Sequence, residues 1–227
     1  MPMPRVPAAL AALALLGGSS TFRLTATAGD EVLLTVFIEN VSGETTLKLP
    51  NGQTRRVPVA PGAYAAVRGD ATLFEEGTPA GDNGLEALAE DGNAEPLIAC
   101  LQKQGQVREA VMFLPGQPFM VHASPGDRLV FGAMFVESND LFYSPDPRGI
   151  ELFDSAGRPI AGDATSEVKL WDAGTEVNEA PGTGQHQAPR QAGPNTGVAE
   201  SGVVRPVSVG FAYPSTAEVL RVALGAG

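Results

Sequence analysis

The chain has 227 residues, of which 43% are hydrophobic, so it can bury a core as a single domain. Its 26 acidic and 15 basic residues give a net charge of −11, which excludes nucleic acid as an expected partner because phosphate binding needs clustered Lys and Arg. With 27 glycines and 19 prolines, the composition indicates a turn-rich fold whose acidic surface suits solubility and cation binding.

Residues 1–28 have the pattern of a signal peptide. Arg5 precedes a short apolar run at residues 8–16, which is below the roughly 20 residues needed to span a bilayer. Ala26-Thr27-Ala28 offers a cleavage site, and residues 17–20 offer an alternative one. We therefore expect a secreted or periplasmic protein whose mature chain, residues 29–227, is one domain without a membrane span.

The first part of the mature chain predicts β-strands. Residues 31–40 are apolar and β-branched, and residues 45–49 alternate as a half-buried strand does. Residues 56–59 are an expected edge strand because Pro58 cannot donate to a ladder, and residues 64–67 form the next strand. Asn40-Val41-Ser42 matches a glycosylation acceptor, although its turn-like neighbours explain it equally well.

Two short helices are predicted in the middle of the chain. Residues 84–92 place Leu85 and Leu88 at helical spacing before Gly92, a typical C-terminal cap, and residues 94–102 fit a second helix. Cys100, the one cysteine, lies among apolar residues, so we expect a buried, unreactive thiol and no internal disulfide. Three acids of the first helix are interpreted as its solvated face rather than as a metal cluster: Glu86, Glu90 and Asp91.

The second half predicts a series of strands joined by Pro-Gly turns. They cover residues 108–114, 118–123, 128–136, 149–153 and 167–171, and residues 203–211 and 217–222 close the sheet. Alternation of Leu129, Phe131 and Ala133 predicts one buried face. The Pro- and Gly-rich residues 180–201 are expected to form a loop laid across the end of an antiparallel sandwich.

Two loops at strand ends carry candidate ligands for a cation. Asp172 and Glu176 lie four residues apart around Gly174, directly after the only tryptophan, Trp171, and Asp140 ends the polar segment 137–140. Trp171 is interpreted as core packing that anchors the loop, and Gly174 should let the loop curl back so that both carboxylates face one point. Calcium takes about six to eight oxygen ligands, mostly carboxylates and carbonyls from flexible loops. By themselves these acids are better explained by turns with solvated side chains.

Five short segments, in this order and spacing, make the chain resemble the spondin domain in its compact bacterial exported form, over about residues 31–222. The segments are Ile38-Glu39-Asn40-Val41-Ser42, Leu73-Phe74-Glu75-Glu76-Gly77, Gly84-Leu85-Glu86-Ala87-Leu88-Ala89-Glu90-Asp91-Gly92, Glu137-Ser138-Asn139-Asp140 and Trp171-Asp172-Ala173-Gly174-Thr175-Glu176. The resemblance implies an all-β, C2-like antiparallel β-sandwich of about eight strands, with one or two short helices in connections and one bound calcium ion.

The resemblance also implies the ligands. Asp140, Asp172 and Glu176 fall where the family has acidic ligands, with Glu176 standing where animal members have Asp. Asn178, Glu179 and backbone carbonyls are possible additional ligands, which the sequence does not rank. Animal members are extracellular matrix and cell-adhesion proteins with disulfides in this domain. This chain has one cysteine and no thrombospondin-type repeat, so a matrix role does not transfer directly.

Motifs of catalysis are missing from the sequence. His122 and His186 are far apart, and no metalloprotease, nucleophile-elbow, phosphate-loop or dinucleotide motif occurs. We therefore expect a non-enzymatic, calcium-binding module that binds a surface, polymer or protein. The alternatives are a periplasmic or secreted hydrolase, with Asp140 and Glu176 as acid and base, and a structural envelope protein whose acidic loops bind nothing specific.

Overall fold

The computed structural model describes residues 31–207 and 210–226. The predicted signal peptide, residues 1–28, lies outside them. The described residues contain thirteen strands, all paired antiparallel, three short α-helices and one 3₁₀ helix, Thr165–Glu167. This confirms the predicted all-β antiparallel sandwich.

Eight strands have five or more residues, and they form the body of the sandwich. They are β1 (Val32–Asn40), β4 (Gly62–Val67), β5 (Val107–Phe113), β6 (Phe119–Ala123), β7 (Arg128–Met134), β8 (Leu141–Pro145), β11 (Val168–Asp172) and β13 (Leu220–Ala226). Five further strands have two residues each: β2 (Leu47–Lys48), β3 (Thr54–Arg55), β9 (Ile150–Glu151), β10 (Gly162–Asp163) and β12 (Arg205–Pro206).

The strands form two main sheets. The smaller has the order β10-β13-β1-β6, and the larger has the order β12-β11-β8-β7-β4-β5 with β9 beside β7. Side chains from the facing sides of both sheets, such as Val36 of β1 and Phe131 of β7, share one buried apolar cluster. The strands β2 and β3 pair separately as a small hairpin.

Helices α1 (Leu85–Asp91) and α2 (Glu95–Leu101) cover the outer face of the larger sheet. Their side chains Leu88 and Leu97 share a second buried cluster with Val130, Phe142 and Trp171 of the sheet. The predicted single buried face of β7 is therefore wrong: six of its seven residues, Leu129 to Met134, are buried because the helices cover the second face. The expected core role of Trp171 is confirmed, since it is 0% exposed.

Two predicted strands differ from the structure for local reasons. Residues 56–58 form no strand, because the backbone of Val57 bonds to the side chains of Asn40 and Ser42. The predicted strand at residues 217–222 begins only at Leu220. The residues before it form a third helix, α3 (Thr216–Val219), started by a capping box at Ser215.

In the closing segment 203–211 the structure gives only the short β12, while residues 208–209 lie outside the described part. Cys100 is half-buried on α2 and not fully buried as expected, because α2 buries only Leu97 and Leu101 completely. None of the helices in the described ranges has the length and apolar character of a membrane span.

Candidate functional site

Strand pairing explains why the two acidic loops meet. β8 begins at Leu141 and β11 ends at Asp172, and these two residues lie opposite each other in the antiparallel register. The Ala173 N–H continues the pairing by donating to the carbonyl of Asp140 at 3.1 Å. Residues 137–140 and the loop after Asp172 are therefore adjacent at one end of the larger sheet.

Asp140 is 0% exposed, and its two carboxylate oxygens have different surroundings. Its Oδ2 accepts the backbone N–H groups of Thr175 at 2.8 Å and Glu176 at 3.1 Å, and the Thr175 hydroxyl at 3.3 Å. Its Oδ1 is buried and has no hydrogen-bond partner among the described residues. A buried carboxylate oxygen without a donor is costly, because burial removes its water and nothing replaces it.

Asp172 is 5% exposed and close enough for its charge to act on the Asp140 carboxyl. Its Oδ1 accepts the Gly174 N–H at 2.7 Å, while its Oδ2 accepts the Asn178 side-chain amide and the Arg205 guanidinium, each at 2.9 Å. The side-chain oxygen of Asn178 is also buried without a partner in the described structure. Two buried oxygens without donors thus lie near one carboxylate.

Glu176 is part of the same loop, but its carboxylate is held by other groups. The side chain is buried, its Oε1 accepts the Gly197 N–H at 2.6 Å, and its Oε2 accepts the Asn139 amide at 3.4 Å. The backbone of Glu176, by contrast, donates to Asp140. The fold therefore brings Asp140 and Asp172 together directly and joins Glu176 to them through its N–H.

Glu179, the other acid proposed as a possible ligand, belongs to the Glu176 side of the site. Its Oε2 accepts the amide of Asn139 at 3.2 Å and the N–H of His186 at 2.9 Å. His186 also lies 3.3 Å from the other oxygen of Glu179. The carboxylate of Glu179 thus fixes the start of the long loop.

Gly174 allows the loop to curl as the sequence predicts. Its φ of +70° lies in the left-handed region, and a Cβ atom there would lie 2.7 Å from the backbone nitrogen of Val203. The same turn directs the Gly174 N–H to Asp172. Glycine at this position therefore fixes both the loop path and the orientation of one candidate ligand.

The electrostatics of the site disfavour ionised carboxyls in the absence of a cation. Burial, with the neighbouring charge of Asp172, raises the pKa of Asp140 to about 7, although hydrogen bonds from Glu176 and Thr175 oppose the rise. Burial also raises the pKa of Asp172, against the Gly174 N–H and the Arg205 charge. Nearby Tyr213 has its pKa raised to about 12 by burial and by the charges of Asp172 and Asp140.

Sequence reasoning missed Glu90, which was assigned to the solvated face of its helix. The structure corrects this: Glu90 is 2% exposed, and its Oε2 is buried without a partner in the described chain. Burial raises its pKa to about 7, with contributions from the charges of Glu176, Glu86 and Asp140. Its position directly after buried Ala89, at the border of the apolar stripe, is the only sequence signal for its burial.

The long loop covers this end of the molecule, as the sequence predicts. Arg190 pairs with Glu137 at 2.9 Å, and Asn195 donates to Glu86 of α1 at 2.9 Å. After bonding to Glu176 through Gly197, the loop returns beside the site, where the Glu200 N–H donates to the carbonyl of Thr175 at 2.7 Å. The site is therefore closed over by the chain's own backbone.

The atoms near Asp140 that are free to bind a metal ion are oxygens. No group of three or more His, Cys, Asp and Glu side chains in residues 31–207 and 210–226 is arranged to hold a metal ion by itself. A cation at this position would use Asp140 and Asp172 together with neutral oxygens, of which Asn178 Oδ1 is already without a partner. Carboxylate, amide and carbonyl oxygens suit a hard cation such as calcium.

The fold and site together define a β-sandwich with a buried, oxygen-lined acidic site at one end. In comparisons with protein-family models and with curated proteins, nothing matched this chain.

Proposed function

We propose that this protein is an exported, non-enzymatic β-sandwich module that binds calcium at Asp140 and Asp172. The observation that carries the proposal is the Oδ1 atom of Asp140, which is buried without a donor in a carboxyl on which the charge of Asp172 acts. A cation supplies the positive charge that such an oxygen lacks in the protein.

The surrounding oxygens support calcium over other common metals. The Oδ1 atom of Asn178 adds a neutral oxygen ligand, and Glu176 lies on the same loop. Calcium accepts six to eight such oxygens in irregular geometry, whereas zinc prefers four ligands rich in His and Cys. Arg205, whose side chain is 41% exposed, neutralises Asp172 when no cation is present.

Burial of the acids favours an ion over a substrate. Asp140, Asp172 and Glu176 are 0%, 5% and 2% exposed, and the long loop lies across them. A hydrolase needs its acid and base to contact a bond of the substrate in an open cleft. The hydrolase alternative, with Asp140 and Glu176 as acid and base, therefore receives no support from the geometry.

The proposed role is adhesion or structure at the cell surface or outside the cell, with a surface polymer or a protein as partner. The resemblance to spondin domains and the signal-peptide pattern support this role. Cleavage after Ala28 would leave β1 intact, since that strand begins at Val32. Capture from a cell-envelope extract, with calcium and with chelator in parallel, tests whether a partner binds and whether the ion is required.

Thermal unfolding of metal-free protein tests the calcium site. Calcium at ten times its dissociation constant should add about 1.4 kcal/mol of stability, which raises the melting temperature by roughly 3–6 °C. Asp172→Ala should abolish this rise, whereas Asp82→Ala, which removes an exposed acid before α1, should keep it. An unchanged melting temperature of the wild-type protein at millimolar calcium would refute the site.

A further inference from the structure

A cavity of about 460 Å³ opens where the chain runs from β12 to α3. Small-molecule sites typically have volumes of roughly 300–1,000 Å³, so the cavity is large enough to hold a ligand. Its walls include one residue of β12 and two residues of the segment that leads to α3: Pro206, Phe211 and Tyr213. None of the proposed calcium ligands lines it, so the cavity is separate from the calcium site.

The walls of this cavity belong to the margin of the apolar core between the two sheets. Leu170, Val207 and Tyr213 line the cavity and are only half-buried against that core. Tyr213 is held in place by edge-on packing against Phe135, with 6.0 Å between ring centroids, and Phe211 is 41% exposed. Apolar side chains gain free energy when a ligand removes their remaining surface from water. The cavity therefore favours an apolar ligand.

Lys169 supplies the one charge among the described residues that line the cavity. Its Nζ atom lies 2.5 Å from Oδ1 of Asp146 and 5.7 Å from the centroid of the Trp171 ring. Both side chains of this ion pair are about half exposed, so water and salt weaken it and Lys169 is available to another anion. The described lining contains no acid, although the chain has a net charge of −11. The charge of the cavity therefore suits an anionic group.

Pro206 argues against an added β-strand as the occupant. It lies in β12, the last strand of the larger sheet. The Val207 N–H donates to the Leu170 carbonyl of β11 at 3.0 Å, so the preceding position, Pro206, faces the free edge of the sheet. Proline has no N–H to offer a further strand. A compact molecule therefore fits this opening better than an extended peptide.

We propose that the cavity binds a small amphiphile, namely an apolar molecule with an aromatic ring and one carboxylate or sulfonate group. The ring contacts Phe211 and the half-buried Leu170 and Val207, and the anionic group pairs with Lys169. Aromatic rings pack favourably on one another, which suits an exposed phenylalanine at the mouth of a cavity. The inference goes beyond the proposed calcium binding and does not depend on it, because no acid of that site lines the cavity.

Two fluorescent probes that differ only in a sulfonate group test the charge of the ligand. Anilinonaphthalene sulfonate is an apolar aromatic anion, and phenylnaphthylamine is the same ring system without the sulfonate. In chelator, the wild-type protein should bind both. Lys169→Gln should weaken binding of the anionic probe at least about threefold and that of the neutral probe by less than about twofold. Lys103→Gln, which removes a charge from an exposed position after α2, should change neither dissociation constant.

Phe211→Ala tests the apolar wall. It should weaken binding of both probes at least about tenfold, because each loses contact with an aromatic side chain. Met112→Ala is the matched control, since Met112 is 42% exposed but lies on β5, at the opposite edge of the larger sheet. It should change neither dissociation constant by more than about twofold. All four variants should melt close to the wild type, because the four residues are exposed.

Three results would overturn the proposal. One is absence of binding of either probe by the folded wild type. Another is an equal loss of affinity in Phe211→Ala and Met112→Ala, which would show that the probes bind apolar surface in general. The third is an equal effect of Lys169→Gln on both probes, which would refute an anionic ligand. Sedimentation velocity adds a further check: a dimer that Phe211→Ala dissociates would assign the cavity to a second copy of the chain instead.

Discussion

The most direct consequence of the buried Asp140 carboxyl is a pH-dependent stability in the metal-free protein. Burial and the charge of Asp172 raise its pKa from 3.8 to about 7. Between these values the folded protein keeps a proton that the unfolded chain releases. The free energy of unfolding therefore falls as pH rises through this window, and the loss is complete above the folded-state pKa. Asp140→Asn removes the effect.

The size of this effect follows from the pKa difference. A shift of one unit corresponds to about 1.4 kcal/mol, so a rise from 3.8 to about 7 gives an upper limit of about 4 kcal/mol. Asn at this position retains an oxygen acceptor for the N–H groups of Thr175 and Glu176. Its NH₂ group replaces the oxygen that has no donor. We therefore expect Asp140→Asn to be more stable than the wild type at pH 8 and close to it at pH 4.

Urea denaturation in chelator, at pH values from 4 to 8, measures this difference. Comparing each variant with the wild type at the same pH cancels the titration of groups they share. Asp82→Asn, an exposed acid, should differ from the wild type by the same small amount at every pH. Saturating calcium should reverse the order of stability at pH 8, so that the wild type becomes more stable than Asp140→Asn. A stability difference for Asp140→Asn that does not change with pH would refute the reasoning.

Two further predictions concern the backbone of the site and the glycosylation motif. Gly116→Ala should lower the free energy of unfolding by about 1–2 kcal/mol. Gly174→Ala should lower it by more. Both glycines have positive φ, but only Gly174 would place a Cβ within 3 Å of other atoms, and equal losses in urea would contradict this. Asn40 donates to the Val57 carbonyl at 2.8 Å and accepts from Ser42, so Asn40→Ala should cost about 1–3 kcal/mol in the same assay. Because these bonds engage the Asn40 side chain, wild-type protein secreted from a host that glycosylates should carry no glycan at Asn40. A glycan found at Asn40 by mass spectrometry would contradict this expectation.

Local sequence patterns predicted most of the secondary structure, because each depends on a few neighbouring residues. The β-branched run at residues 31–40 became β1, and the helical spacing of Leu85 and Leu88 became α1. The predictions failed where side chains compete for backbone bonds. Val57 is bonded by Asn40 and Ser42, and Ser215 starts a helix where a strand was expected.

The candidate site was predicted only in part, because local patterns locate strand ends but not contacts between residues that are distant in sequence. Asp140 and Asp172 lie at strand ends, and the sequence identified both. The direction of the Glu176 carboxylate depends on Gly197, which is distant in sequence and lies on the long loop. A contact of this kind leaves no periodic signal, so only the folded chain could reveal that Glu176 is already engaged.

The sequence alone determined the class of fold, the core role of Trp171 and the two loops that carry Asp140 and Asp172, since strand periodicity and turn residues encode these locally. Tertiary structure decided which acids are buried. Glu90 occupies a helix position that would be solvated on an isolated helix. It is buried because α1 packs against the larger sheet beside the loop after β11. Burial of a residue at the border of an apolar stripe is set by the element that packs against it, and the sequence of the helix does not contain that information.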